Sequence, residues 1–228
     1  MQANALLMDD KRYLQDLINE GEHQQQDFKY RVSDAHKLAR SVSAFANTDG
    51  GRLLIGVRDD GHMSGVRSEE EIYMMHQAAY RYCRPEASIR FDTYHVASSH
   101  SASSARVLRT IVVATISPSD RRPVCAVDED GRQRAYIRIA DENIVASPVH
   151  MAVWRESQNP RGTMMTYTET VQKLLAVMQD QPHTLNQLVR RSALPRSKVI
   201  TLLARLIRFH VVQWEYTDQQ FLFSLYNI

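Results

Sequence analysis

The sequence predicts an α+β protein in two units: a two-layer α/β domain with a mixed sheet, then a smaller unit of three helices closed by a β-hairpin. Three observations carry this. Helical stripes alternate with short period-two runs as far as residue 157, the pattern of helices packed on a sheet. The run Gln158-Asn159-Pro160-Arg161-Gly162 then breaks every periodicity, as linkers containing Pro and Gly do. Beyond it, three amphipathic helical stretches lead into two short strands. With 228 residues the chain is long enough to bury two cores. The expected division is a helical lead-in over 1–19, the α/β domain over 20–157, a linker over 158–166 and the helical unit over 167–228.

In the first unit, a helical stretch around Tyr13 to Ile18 precedes the polar run GEHQQQ, after which Asp27-Phe28-Lys29-Tyr30 alternates as a short strand does. Ala35, Leu38, Ala39, Val42, Phe45 and Ala46 recur at three- and four-residue steps, with Ser33 or Asp34 before them as a cap. This helix exits through Asn47-Thr48-Asp49-Gly50-Gly51, where glycine accepts the positive φ of a tight turn. Arg52 to Val57 is a buried strand and Asp59-Asp60-Gly61 its turn. Ser68-Glu69-Glu70-Glu71 has capping-box spacing, and Ile72, Met75, His76, Ala79, Tyr80 and Cys83 form the buried stripe of a second helix, stopped at Arg84-Pro85. Strands follow at Ile89 to Val96 and Val107 to Ile116, joined by a long Ser/His-rich connection over 97–104. Val124 to Val127 and Arg134 to Ile139 pair across Asp130-Gly131, and a helix near Ser147 to Glu156 closes the unit.

In the second unit, Val171, Leu174, Leu175 and Met178 line one side of a helix over Thr168 to Gln179. Thr184-Leu185-Asn186-Gln187 is a second capping box, opening a helix through Ser192. Ala193-Leu194-Pro195 turns the chain, with Pro195 in the first turn of a third helix. On that helix Val199, Leu202, Leu203, Leu206 and Ile207 share a buried face. Strands Val211 to Tyr216 and Phe221 to Leu225 complete three helices and a β-wing, a winged helix-turn-helix.

The net charge of +2 conceals an asymmetry. Acids slightly outnumber bases up to residue 160, whereas bases outnumber acids two to one beyond it. There Arg190, Arg191, Arg196, Lys198, Arg205 and Arg208 follow one another with no acid between them, a local excess suited to phosphate. Cys83 and Cys125 have neither zinc nor disulfide spacing and are expected as small core residues in a reducing, cytoplasmic setting. No run of 18 apolar residues and no signal-peptide pattern occurs, so neither membrane spanning nor secretion is expected. Gly56-Val57-Arg58-Asp59-Asp60-Gly61-His62-Met63 has glycines at phosphate-loop spacing, but His62 and Met63 stand where the lysine and hydroxyl would be, and two acids sit where an anion would lie. That excludes a phosphate loop.

Two resemblances extend these readings. Residues 168–225 resemble the winged-helix domains of bacterial transcription regulators, which implies Arg196, Ser197, Lys198 and Thr201 facing bases, with Arg190, Arg191 and Arg205 near the backbone and Arg208 in the same basic run. Glu22 with Asp27-Phe28-Lys29, Ser43-Ala44-Phe45-Ala46-Asn47-Thr48-Asp49-Gly50-Gly51, Leu54-Ile55-Gly56-Val57 with Asp59, and Tyr136-Ile137-Arg138-Ile139 together resemble the Schlafen-type Alba family of DNA-binding domains over about residues 20–145. The two resemblances imply a nucleic-acid-binding transcriptional regulator, on DNA rather than RNA and paired as a homodimer, with no cofactor. The second also implies an alternative: a metal-dependent endoribonuclease in which Glu22, Asp27 and Asp59 hold magnesium or manganese and Lys29 screens the scissile phosphate. Asp27 stands where that family's usual residue is glutamate. A non-catalytic interaction and dimerisation module is the third reading.

Overall fold

The computed structural model describes residues 2–97, 108–159, 164 and 166–226. The connection expected over 97–104 falls, beyond Ala97, outside the described residues, as does most of the linker. The chain divides into two compact units, 1–145 and 146–228.

The first unit begins with α1 (Gln2–Asn19), β1 (Gln26–Lys29), α2 (Ala35–Asn47) and β2 (Gly51–Ile55). It continues through α3 (Ser68–His76), which runs into a single π turn at Gln77–Arg81, then β3 (Cys83–Arg84), β4 (Ile89–Ala97) and β5 (Leu108–Ile116). β6 (Cys125–Val127), β7 (Gln133–Ile139) and β8 (Glu142–Val145) complete it. One sheet has the order β1-β2-β5-β4. In it β1 runs parallel to β2 and the other pairs are antiparallel, so the sheet is mixed, as expected. A second, antiparallel sheet has the order β3-β6-β7-β8.

The expectation of two layers falls short, because α2 is buried on nearly every side. Leu38, Val42 and Phe45 share a core with Leu53, Ile55, Val112 and Ala114 of the first sheet, and with Ala126 and Tyr136 of the second. α2 therefore lies between two sheets. The opposite face of the first sheet carries a separate core, in which Leu14, Leu17 and Ile18 of α1 meet Phe28, Leu54, Ile111 and Val113.

The side of α2 that faces the second sheet is polar, and its groups are paired. Asn47 Nδ2 donates to the carbonyls of Val124 (2.8 Å) and Tyr136 (2.9 Å), while its Oδ1 accepts from Val124 N–H at 2.8 Å. One turn earlier, Ser43 Oγ donates to Val124 O (2.7 Å) and accepts from Tyr136 N–H (3.0 Å). These bonds pair buried backbone groups of Val124 and Tyr136 with α2, which explains a Ser-x-x-x-Asn pair on a buried helix. Gly50 and Gly51 follow for steric reasons: a Cβ on Gly50 would lie 2.7 Å from Pro118, and one on Gly51 2.4 Å from the Phe45 ring. Asp34 caps α2, accepting from His36 and Lys37 N–H, worth about 1 kcal/mol.

Two local expectations are corrected. Ser68 is the first helical residue of α3 and Arg67 its cap, without a side-chain bond, so the capping box does not form. His76 and Tyr80 are exposed rather than part of the buried stripe. Ala79 and Cys83 are buried as expected, with Ala78 beside them, and the π turn at 77–81 adds a residue to the helical repeat at Tyr80. Burial pushes the Cys83 thiol up to about 12, as suits a small core residue.

The second unit comprises α4 (Pro148–Ser157), α5 (Glu169–Val177), β9 (His183–Thr184), α6 (Leu185–Ser192), α7 (Arg196–Arg208), β10 (Val212–Thr217) and β11 (Gln220–Leu225). β9 pairs with β11 and β11 with β10, all antiparallel. Leu174, Leu188, Val199, Leu203, Leu206 and Phe223 form its core, and Val149 brings α4 into it. α4 thus belongs to this unit, not to the preceding domain as its position in the chain suggested. The capping box at Thr184 and Gln187 forms. Pro195 is the cap of α7, one position before its expected place. Asp218 and Gln219, both at positive φ, make the two-residue turn between β10 and β11.

His150 fastens α4 to this hairpin. Its Nδ1 accepts from Ser147 N–H at 3.2 Å, completing a capping box, so the ring proton resides on Nε2. Nε2 is buried without a hydrogen-bond partner among the described residues, and the ring meets Trp214 and Phe221 edge-on at 4.6 and 4.8 Å. Burial holds the imidazole neutral, lowering it from 6.5 to about 4. Between those values the unfolded chain binds a proton that the folded chain refuses, so stability is complete above pH 6.5 and falls as pH drops towards 4. The loss should be on the order of 3 kcal/mol for the second unit. Urea unfolding at pH 7.5 and 4.5 measures it, and His150→Gln should remove most of the difference. Asn47→Ala, which orphans the buried backbone groups at Val124 and Tyr136, should cost the first unit about 2–4 kcal/mol in the same measurement.

Candidate nucleic-acid interface and acid cluster

β1 places Asp27 on the α2 side of the first sheet, where it is 4% exposed. Two cations meet it there. Lys29 Nζ stands 2.7 Å from Asp27 Oδ2, and Arg138 Nη2 stands 3.7 Å from Oδ1. Arg138 is itself 2% exposed. It donates through Nη1 to Asn143 Oδ1 (3.0 Å) and through Nη2 to Gln26 O (3.3 Å), and its guanidinium lies 5.1 Å from the Phe45 ring centre. Asn143 in turn donates to Ser41 Oγ of α2 at 3.0 Å. Glu22 Oε1 accepts Phe28 N–H at 2.8 Å. Its carboxyl is raised above the usual range, first by burial and then by its hydrogen bond to Asp27. The Phe28 N–H and the Lys29 charge pull it back in the opposite direction.

Asp59 stands apart from this pair. It is exposed in the turn after β2, where Gly61 N–H bonds Arg58 O and Asp60 caps His62 N–H. Beside that turn Tyr30 lies under two guanidinium groups, Arg58 at 4.9 Å and Arg31 at 5.2 Å. Among the described residues no three His, Cys, Asp or Glu side chains are grouped to hold a metal ion. An Asp27 carboxylate already paired with Lys29 and Arg138 is a poor donor for a dication, which needs ionised oxygens free of competing cations. The residues present do not fit magnesium or manganese.

In the second unit the basic run divides between two surroundings. Arg190, Arg191, Arg196, Ser197 and Lys198 are exposed. Arg196 Nη1 donates to Asn186 Oδ1 at 2.6 Å, which fixes it across the turn between α6 and α7. Thr201 is half-buried, its hydroxyl bonded back to Ser197 O at 3.0 Å. Arg205 and Arg208, further along α7, meet α4. Arg205 Nε lies 3.6 Å from Glu156 Oε1 of α4, and Arg208 Nη1 donates to the Glu156 carbonyl. Glu156, which meets one with its carboxylate and the other with its carbonyl, lies outside the basic run.

The profile of the family described as Schlafen, AlbA_2 matches residues 22–147, more than half of the chain. The chain belongs to this family. The match begins at the acid cluster and ends just after β8, so it covers both sheets and α2 of this Schlafen, AlbA_2 chain. Among curated proteins none matches. A solved structure that resembles it is the DIP2311 protein from Corynebacterium diphtheriae, 18% identical with a TM-score of 0.43. That alignment covers 87% of this chain and 34% of the other, so the chain spans about a third of that protein.

Arg138 is the residue whose role the sequence did not disclose. Its signal is a charge inside the strand Tyr136-Ile137-Arg138-Ile139, which is otherwise apolar. Arg138→Met should destabilise the first unit by about 3–5 kcal/mol, because it leaves the buried Asp27 carboxylate facing Lys29 alone. Adding Asp27→Asn should restore part of the loss. Urea denaturation of the two single variants and the double variant closes the cycle.

Proposed function

We propose that this chain is a nucleic-acid-binding protein whose second unit acts as a winged helix-turn-helix on duplex DNA, as in a transcriptional regulator working in the cytoplasm as a homodimer. Membership of the Schlafen, AlbA_2 family supports a nucleic-acid-related role. The winged-helix reading is supported by the order of elements: α6 ends at Ala193 in the left-handed region, α7 follows after two residues, and a tight hairpin closes the unit. The homodimer follows from the two-fold habit of such regulators on DNA.

The observation that carries the proposal is the exposed edge formed by Arg190, Arg191, Arg196 and Lys198, none of which has an acidic partner among the described residues. Exposed cations in that state release counterions when they meet phosphate, which makes binding steeply salt-dependent. Ser197 and Asn186 stand among them as hydrogen-bonding groups suited to base edges. Arg205 and Arg208 serve as ties to α4 and are not assigned to the contact.

Duplex DNA should bind with an affinity that falls at least tenfold between 50 and 200 mM salt, by the order of magnitude expected for several phosphate contacts. The double variant Arg196→Ala/Lys198→Ala should weaken binding about tenfold or more and flatten the salt slope, as read by fluorescence anisotropy. Undiminished binding by this variant would move the contact elsewhere, and no salt-sensitive binding of any duplex would leave an interaction module in its place.

A further inference from the structure

α1 covers only part of its face of the first sheet. Leu14, Leu17 and Ile18 sit over Phe28, Leu54, Ile111 and Val113, but one row further along, the residues of this face are Arg52, Thr115 and Arg90, aligned across β2, β5 and β4. Alternation along β1 and β2 puts this row on the side opposite Asp27, since Arg52 is two residues from Leu54 whereas Asp27 pairs with Leu53. The row is therefore separate from the acid cluster. It forms the floor of a cavity of 510 Å³, inside the range of about 300–1,000 Å³ common to small-ligand sites.

The walls have three distinct chemistries. At one end Tyr13 and Tyr94 stand with ring centres 5.1 Å apart, and Tyr13 is 42% exposed. Burial, with Tyr13 beside it, pushes the Tyr94 phenol up to about 12, so it remains a donor. On the floor Arg52 is held in place by Gln26 Oε1 at 2.6 Å and by Glu20. These contacts use two of its five N–H donors. Arg90, whose side chain is 75% exposed, is paired among the described residues only with Asp92 at 3.1 Å, a surface contact weak enough to exchange for a ligand. Across two strand spacings the two arginines are roughly 9–10 Å apart at the backbone, close enough for their side chains to converge on one anion. Asp92 and the exposed Asp49 supply acceptors at the rim, next to the tight Gly50-Gly51 turn.

This combination selects its ligand. Asp49 and Asp92 would repel a simple polyanion, and the polar lining would reject an apolar molecule. A ligand that satisfies every wall needs a flat ring for the tyrosines, an anionic group for the arginines, and amino or hydroxyl donors for the carboxylates. We propose that this half of the sheet face binds one nucleotide unit, with its base against Tyr13 and Tyr94, its phosphate between Arg52 and Arg90, and its sugar hydroxyls or base amino groups on Asp49 and Asp92. The unit is supplied as a free nucleoside monophosphate or as one residue of a single strand. The site is independent of the basic edge on α6 and α7.

The test uses the full chain with AMP, GMP, CMP and UMP by calorimetry, and with a fluorescein-labelled mixed-sequence hexanucleotide by anisotropy. Arg90→Ala and Tyr13→Ala alter exposed side chains and leave both cores intact. Each should weaken binding about tenfold or more, the scale of one stacked base or one charged contact, while Arg196→Ala/Lys198→Ala should leave this binding within twofold. Binding of a monophosphate identifies a free nucleotide as the ligand, and binding of the hexanucleotide alone identifies a strand. The proposal is overturned if neither binds at millimolar concentration, or if Arg90→Ala and Tyr13→Ala both leave binding within twofold. It is equally overturned if only the α7 variant reduces hexanucleotide binding.

Discussion

A guanidinium group inside the first unit dictates much of what surrounds it. Arg138 is almost wholly removed from water, and a buried charge of that kind survives only where opposite charge and hydrogen bonds replace its hydration. The replacements come from separate elements: Asp27 and the Gln26 carbonyl from β1, Asn143 from β8, and the Phe45 ring from α2. Satisfying one cation thus fixes the second sheet against the first, with α2 between them. A hydrophobic side chain could fill the same volume, but it would not specify which strand edge must lie opposite Asp27. The same constraint sets the chemistry of the acid cluster, since a carboxylate committed to Arg138 and Lys29 is no longer a free ligand.

Much of this arrangement was legible in the sequence. The stripe from Ala35 to Ala46, the strand at Arg52 and the small residues around Gly50 gave α2, β2 and their turn, because the periodicity and the backbone conformations they require are local. The second sheet was less legible. β3 and β8, like β9 of the second unit, are two to four residues long and exist by virtue of their partners, so no run of alternating residues announces them. For the same reason Ser43 and Asn47 looked like ordinary helix polarity, although they are the hydrogen-bonding link from α2 to Val124 and Tyr136. His76 and Tyr80 misled for a different reason. Tyr80 lies within the π turn, where a constant helical repeat does not hold, and His76, just before it, meets the rings of Tyr80 and Phe91 instead of turning inward.

The basic run of the second unit shows how contiguity in sequence differs from contiguity in space. Arg190 to Arg208 contains no acid, yet Glu156 reaches Arg205 and Arg208 from a helix that lies earlier in the chain. Those two arginines help dock α7 on α4, much as His150 docks α4 on the hairpin, and their charge is spent within the unit. The N-terminal half of α7 and the end of α6 keep theirs. The division follows from the helix itself, because residues seven to ten positions apart along α7 occupy turns with different neighbours.

The two faces of the first sheet illustrate the same principle at shorter range. With a period of two, Asp27 and Leu53 point towards α2, while Phe28, Leu54 and Arg52 point towards α1. A helix as narrow as α1 cannot cover a four-stranded sheet of that width, so part of its face must be solvated. Polar residues are therefore required there for solubility alone, and Thr115 needs no other explanation. The arrangement of the remainder does: a held arginine and an exposed one share a concave surface with two tyrosines at one end and a glycine turn at the other. Solvation demands polarity, but it does not demand concavity, a fixed guanidinium or an aromatic wall. These additions turn an uncovered sheet face into a selective surface, and they separate its chemistry from that of the carboxyl pair on the other side of the same strands.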